Sequence, residues 1–172
     1  VIVGQIVVGA TDDDQNQNAK TVQALTSPAF PVVVVGAMGL FRATAAGTQP
    51  MRVVLYADSA GSPGALLGVS SDTTVSFAGA SAAVYVPFSF ATPVALAGGT
   101  SLWDGYHGGT FTGTQPIMLE TSGSFKYQNA ALDTYSDGAS NPFGTVSGTA
   151  AVSLCLYLVC ADGRMFGGGM GA

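Results

Sequence analysis

The residues with the most capacity for chemistry sit together in Trp103-Asp104-Gly105-Tyr106-His107-Gly108-Gly109. His107 is the single histidine of the chain, which makes it the first candidate for a general base or metal ligand. Neither role has the company it needs. No Cys-x-x-C or His-x-His spacing accompanies it, so zinc is unsupported. No Gly-x-Ser-x-Gly elbow presents a serine, although a triad assembles in space and not in sequence. Paired carboxylates would come from Asp104, Glu120, Asp133 and Asp137, and the Gly, Thr and Ser beside most of them read as turn chemistry. The adjacent Asp12, Asp13 and Asp14 run into Gln15-Asn16-Gln17-Asn18 and read as a solvated loop. Calcium takes about six to eight oxygen ligands, and the spaced acidic pattern of an EF-hand loop is missing. Residues 167–169 are glycines without a strand-loop-helix context or a following lysine, so no phosphate cradle is expected. The residues therefore give no catalytic set, no cofactor and no metal.

Binding chemistry is better represented. Trp103, Tyr106 and His107, with Tyr127 and Tyr135, have ring faces of the kind that stack on sugars, the chemistry of a carbohydrate-binding or adhesin module. The same residue types pack sandwich cores and cross-strand pairs. Asp104, a charge on an otherwise apolar strand, and Met165, Phe166 and Met170 in the Gly-rich segment 163–172 are the candidate assembly contacts. Cys155 and Cys160 are five apart, roughly 17 Å in an extended strand, whereas a disulfide tolerates a Cα separation of at most ~7 Å. They read as two small hydrophobes.

Composition narrows the partners. Of 172 residues 9% are charged and 48% hydrophobic, and 24 are glycine. An ordinary soluble domain carries roughly a quarter charged residues, so a surface this poor in charge belongs in an assembly or outside the cell. The net charge of −5 and the scatter of the few Lys and Arg exclude a phosphate-neutralising nucleic-acid surface. No run reaches the ~18 consecutive apolar residues of a membrane span, and the first residues lack the basic region and long apolar run of a secretory signal.

The elements that must hold these residues are strands. Residues 51–56 alternate in a period of two and stop at Asp58-Ser59-Ala60-Gly61-Ser62-Pro63-Gly64, a turn, after which a short strand should pack Leu66 and Leu67 inward. Residues 1–8, 21–25, 32–41, 73–77 and 84–90 read as further strands, the last an edge because of Pro87. On the Trp103 strand, Leu102, Asp104 and Tyr106 share one face and Trp103 and His107 the other. Residues 111–120 and 124–128 read as a hairpin across Thr121-Ser122-Gly123, residues 131–145 as a loop, and 151–159 as one central strand with Val152, Leu154, Leu156 and Leu158 on its apolar face. No helical periodicity of normal length occurs. The expected fold is all-β: a single-domain antiparallel β-sandwich over residues 1–162, of jelly-roll type, followed by a flexible Gly-rich tail at 163–172.

Four segments occur in a telling order: Tyr-x-Asp-x-x-Gly-Ser-Pro-Gly-Ala-Leu-Leu-Gly at 56–68, Phe-Ala-Thr-Pro-Val-Ala-Leu-Ala-Gly-Gly-Thr-Ser-Leu-Trp at 90–103, Gly108-Gly109, and Asp-Thr-Tyr-Ser-Asp-Gly-Ala-Ser-Asn-Pro-Phe-Gly at 133–144. Over about two thirds of the chain, as judged against typical domain sizes, this resembles a group of β-sandwich domains in structural proteins of tailed bacteriophages and in bacterial secreted proteins. The group brings no catalytic residues to carry over. Its tryptophan strand usually reads closer to Tyr-Trp-Leu-Gly-Leu-His, so Asp104 is a departure. The resemblance implies a non-enzymatic virion structural protein, a capsid decoration, head-surface or tail subunit. It would sit on the virion surface or outside the cell and assemble with copies of itself and a capsid or tail protein. Host surface glycans are the alternative partner.

Overall fold

β-Branched and aromatic residues at alternating positions, punctuated by Gly, Pro, Asn and Ser, satisfy their backbone amides best in antiparallel ladders. The computed structural model describes residues 1–6, 11–14, 17–129 and 132–162, and of 11–14 and 117–122 the backbone alone. In chain order the strands are β1 (Ile2–Gly4), β2 (Thr11–Asp14), β3 (Lys20–Thr26), β4 (Val32–Ala43), β5 (Gly47–Asp58), β6 (Pro63–Val69), β7 (Thr73–Phe77), β8 (Ser81–Leu96), β9 (Ser101–Gly108), β10 (Thr112–Gly113), β11 (Ile117–Gln128), β12 (Gly148–Leu154) and β13 (Leu156–Asp162). Between β11 and β12 the chain makes one 3-10 turn, Tyr135–Asp137.

Two antiparallel sheets pack against each other, the all-β sandwich that the alternation predicts. The first sheet runs β8-β4-β13-β1. The second is centred on β3-β9-β5, with β6 and β7 end to end along the other edge of β5. β11 belongs to both. Its Ile117 and Met118 pair with Arg42 and Phe41 of β4, and its Phe125 through Gln128 pair with Gln23 through Lys20 of β3. Ala37, Phe41, Phe88 and Leu158 of the first sheet meet Met51, Val53, Leu55 and Tyr106 of the second in one core. Phe41 stands 5.2 Å from Tyr106 and 6.3 Å from Phe88 between ring centroids, so an aromatic trio joins the layers. The expected split of faces on β9 holds, with Leu102 and Tyr106 in this core and Trp103 in a second cluster with Val22, Val54, Tyr56 and Phe143.

Several expectations are corrected. The acidic residues Asp12 to Asp14 lie in strand β2, paired with residues 117–120 of β11; a ladder uses backbone groups and does not require apolar side chains. The hairpin expected across 121–123 is one continuous strand, β11, which absorbs the irregularity as a register shift against β12. The single last strand is two, β12 and β13. The chain leaves β11 at Cys155 and joins β4, yet Leu154, Leu156 and Leu158 all stay in the core. The strand read from residue 51 starts earlier, at Gly47, with Pro50 inside it. Leu67 is 38% exposed, while Leu66 packs on the Trp103 cluster. The turn after β5 behaves as expected: Asp58 Oδ2 accepts from Gly61 N at 3.2 Å, with Ala60 and Gly61 at positive φ of 52° and 78°. The segment 163–172 lies outside the described residues.

Gly39 of β4 faces the aromatic trio. A Cβ there would overlap the Tyr106 hydroxyl and sit 2.8 Å from the Phe41 ring. Gly39→Ala should therefore cost about 1–3 kcal/mol by overpacking. Tyr106→Phe in the same chain should recover part of that loss, because it removes the overlapping hydroxyl, which is buried without a hydrogen-bond partner among the described residues. Urea melts of the two single variants and the double variant check this; purely additive effects would contradict it.

Candidate functional site

The central strands β3, β9 and β5 are covered on both sides. Their inner face meets the other sheet, and their outer face lies beneath residues 132–147. That strap is fastened at β3 by Lys20, whose side chain is fully buried and whose Nζ lies 2.6 Å from Asp133 Oδ2. The ammonium also donates to Phe143 O at 2.8 Å, to Ser140 Oγ and, more weakly, to Tyr56 OH at 3.4 Å. The Phe143 and Tyr56 rings flank it, their centroids 4.6 and 5.5 Å away. Burial pushes the Lys20 pKa down, with the Asp133 hydrogen bond and charge opposing it. Burial alone would raise Asp133, but Lys20 and the Ser140 N–H overcome this and hold the carboxyl below its usual range. The pair is ionised at neutral pH, because every ammonium hydrogen has an acceptor.

Further contacts complete the strap. Tyr56 OH donates to Ser140 O at 3.0 Å, Phe143 N to Gly64 O at 2.9 Å, and Leu66 N to Asn141 Oδ1 at 3.0 Å, so residues 141–143 also cap the edge of β6. Arg52 stacks 3.9 Å over Tyr135, donates to Tyr135 O at 3.0 Å and pairs with Asp72 at 3.0 Å. A serine, a lysine and a tyrosine thus stand together as they would in an acyl-transfer site. The chemistry does not follow. Lys20 Nζ is engaged as a donor and has no lone pair to take a proton from Ser140, whose hydroxyl itself donates to Phe143 O at 3.1 Å.

Trp103, Tyr106 and His107, the ligand-binding candidates chosen from sequence, are all on β9, and all are buried. Trp103, Tyr106 and His107 are 6%, 1% and 0% exposed. Tyr106 points into the core while Trp103 and His107 lie under the strap side, so the three form no shared platform for a sugar ring. Trp103 Nε1 donates to Asp58 Oδ1 at 2.8 Å, and Lys126 Nζ stands 5.0 Å from its ring centroid. An open cleft of about 390 Å³, lined by Leu25, Thr26, Asp58, Gly61, Ser101 and Trp103 among others, reaches only the rim of that tryptophan. His107 lies between Lys20 and Arg52 on the neighbouring strands and against Tyr135, 5.1 Å between centroids. Neither ring nitrogen has a hydrogen-bond partner among the described residues. Burial lowers its pKa to about 4, with Asp133 and Asp72 opposing and Arg52 and Lys20 reinforcing.

Asp104, expected at solvent or at a contact, lies fully buried on the core face beside Gln23 and Leu55. Among the described residues no well-formed hydrogen bond reaches either of its oxygens. Burial raises its pKa to about 7, with the Gln23 amide opposing, so the carboxyl is largely protonated in mildly acidic solution. Asp104 and Asp133 lie on opposite sides of one sheet and form no acid–base pair. Cys155 and Cys160 are buried free thiols, one beside Leu40 and one in the core. Met165, Phe166 and Met170 lie outside the described residues. Sequence reasoning missed Lys20 altogether; its signal was a lone lysine opening an apolar strand.

The other sheet differs in kind. Opposite the core positions Ala37, Phe88 and Leu158, the outward positions run Gly36, Met38, Leu40 and Arg42 on β4, Tyr85, Pro87 and Ser89 on β8, Tyr157 and Val159 on β13, and Ile2 on β1. Arg42 alone among them is charged, Leu40 is only 3% exposed, and the Tyr85 hydroxyl donates to Ile6 O at 3.4 Å. Ile2 and Tyr85 are 57% and 41% exposed, Pro87 and Ser89 are exposed, and Met38, Tyr157 and Val159 are half-buried. The rings of Tyr85 and Tyr157 meet edge to face at 5.6 Å. No protein-family model matches this chain, and no curated protein matches it.

Two predictions follow from the buried groups. Asp133→Asn leaves the Lys20 ammonium without its counter-charge and should lower stability by about 2–4 kcal/mol, a range discounted for the water that reaches Asp133; a urea midpoint unchanged at pH 7 would refute the clasp. The second concerns pH. Between about 4 and 6.5 an unfolded chain protonates His107 while the fold does not, so this group makes stability fall as pH falls. Between 3.8 and about 7 the fold keeps a proton on Asp104 that the unfolded chain has released, so this group makes stability fall as pH rises. Each slope is about 1.4 kcal/mol per pH unit, and across the shared window they offset. The wild type should be nearly level from pH 4.5 to 6.5, windows set by those two groups. Asp104→Asn should rise with pH and His107→Gln should fall. Identical profiles for the three proteins would remove the argument.

Proposed function

We propose that this chain is a non-enzymatic structural subunit of a virion, a capsid decoration, head-surface or tail component of a tailed phage, that works by protein–protein assembly on the particle surface. The observation that carries the reading is the outward face of the β8-β4-β13-β1 sheet: largely apolar, with Arg42 its one charged position among the described residues, and bearing exposed Tyr85 and Ile2. An antiparallel sheet normally presents polar side chains on its solvent side, and a contiguous apolar patch marks an interaction surface. The resemblance of residues 56–68, 90–103 and 133–144 to phage structural sandwiches supplies the particle. The buried state of Trp103, Tyr106 and His107 withholds support from the glycan-binding alternative.

An interface made by such a face gains little from ion pairing. The chain, added to particles that lack it, should cosediment at a fixed stoichiometry, with affinity changing less than about threefold between low and high salt, since only charged contacts are screened. Absence of the chain from purified particles, or its release by salt alone, would overturn the assignment.

A further inference from the structure

We propose that the cavity between β1, β3 and β12 binds a primary alkylammonium group, with the charged head at Gln23 and Asp104 and the alkyl stem between Val3 and Leu25. The site stands apart from the assembly reading. β11 leaves β3 at Gln23, so among the described residues no strand pairs with that edge of β3 from Ala24 to Thr26. There the layers part around a cavity of about 250 Å³, reached past the exposed Gly4, Ala24 and Thr26 and lined inside by the buried Val3 and Gln23. Val3 belongs to the core and Leu25 packs against it. The space corresponds to roughly eight waters at ~30 Å³ each, more than a short alkyl stem needs.

Unmet hydrogen bonding selects the ligand. Gln23 is 3% exposed and pairs across the β3-β9 ladder with Asp104, on the core side of the sheet. Its Oε1 and both Asp104 oxygens are buried with no hydrogen-bond partner among the described residues. Acceptors of this kind, a carboxyl included, call for a ligand that donates and carries positive charge. The described Lys and Arg are placed elsewhere: Lys20, Arg52 and Lys126 on the strap side, and Arg42 outward on β4. No group of His, Cys, Asp and Glu that could hold a metal ion occurs among the described residues. A primary ammonium brings three N–H donors, matching in number the unmet oxygens. Its methylenes lie along Val3 and Leu25 as a lysine stem lies along apolar surface. Binding exchanges one positive charge for another. The Asp104 carboxyl, whose pKa burial raises to about 7, releases its proton to solvent, and the ammonium takes its place. Gln23 and Leu55 face it from the adjacent strands and are neutral. Tyr106, beside it on β9 and near Cys155, stays neutral because burial raises its pKa. Lys20, His107 and Arg52 lie on the other side of the sheet.

n-Propylammonium chloride, titrated against matched sodium chloride and followed by NMR of the isotope-labelled full chain, tests the site. The Asp104 carboxyl and the Gln23 side-chain amide should shift to saturation, with a dissociation constant on the order of 1 mM for so small a ligand. The probe keeps its charge throughout, so its affinity should fall about tenfold from pH 8 to pH 6 as Asp104 takes up its proton. Asp104→Asn should abolish the response, and Gln23→Met should weaken it at least about tenfold. No saturable shift, equal shifts with sodium chloride, equal affinity at the two pH values, or an Asp104→Asn chain that binds normally overturns the inference; the pH comparison needs only the wild type, so it decides even where a variant does not fold. The same head and stem occur in a small free amine and in a lysine of an assembly partner, and cosedimentation with particles separates the two. Particle binding weakened at least about tenfold by Asp104→Asn assigns the ammonium to a shell lysine, in a pair buried enough to be little screened by salt. Particle binding unchanged by Asp104→Asn assigns it to a free amine. A wild type that binds n-propylammonium but no particle keeps the site and removes the structural-subunit reading.

Discussion

A sheet covered on both faces leaves its side chains no route to water, and the three strands β3, β9 and β5 are held to that condition. Every polar group placed there must find a partner or give up its charge. Lys20 takes the first course. Its ammonium gathers Asp133, Phe143 O, Ser140 and Tyr56 around itself and so fixes the strap that excludes water in the first place. His107 and Asp104 take the second, one neutral between two cations and the other protonated inside the core. The clasp and the burial are mutually dependent: without the strap the lysine would be solvated, and without the lysine the strap would lose its most buried polar anchor.

This arrangement divides the molecule. Ion pairs, cation–π contacts and side-chain hydrogen bonds gather on the side of the second sheet, under and around the strap. The outward surface of the first sheet, Arg42 at the end of β4 apart, is built among the described residues mainly from Tyr, Met, Pro, Val and Gly. A monomer that needed only solubility would have reason to distribute its few charges more evenly. The concentration of polar chemistry where it serves the fold, and its scarcity among the described outward residues of the first sheet, is the physical ground for proposing an assembly role.

Much of the architecture was legible in the residues, because a period of two is read directly. The β9 pattern placed Leu102 and Tyr106 on one side and Trp103 and His107 on the other, and the turn at 58–64 formed as its Asp, Gly and Pro require. What was illegible depended on distant partners. Asp12 to Asp14 pair through backbone groups, which side-chain polarity does not report. The chain's change of sheet at Cys155 leaves the alternation of Leu154, Leu156 and Leu158 intact, so no local signal marks it. Trp103 and His107 read as binding residues because nothing in sequence shows that a segment some thirty residues later folds over them, a long-range closure of the kind that dominates β folds. Lys20 escaped notice for the same reason, its counter-charge lying at the far end of the chain.

β11 has a mechanical implication. Because one uninterrupted strand is laddered to β4 at its start and to β3 at its end, the two layers are not independent plates held together only by their apolar filling. Along that side they are a single folded ribbon. Separating them there would require stripping backbone hydrogen bonds in succession, while on the opposite side, along β8, they meet among the described residues through side chains, the Ser71 N to Ser89 O bond and the weaker Thr73 Oγ1 to Pro87 O bond. The sandwich is therefore spined like a book, and any breathing of its core is directed toward one margin.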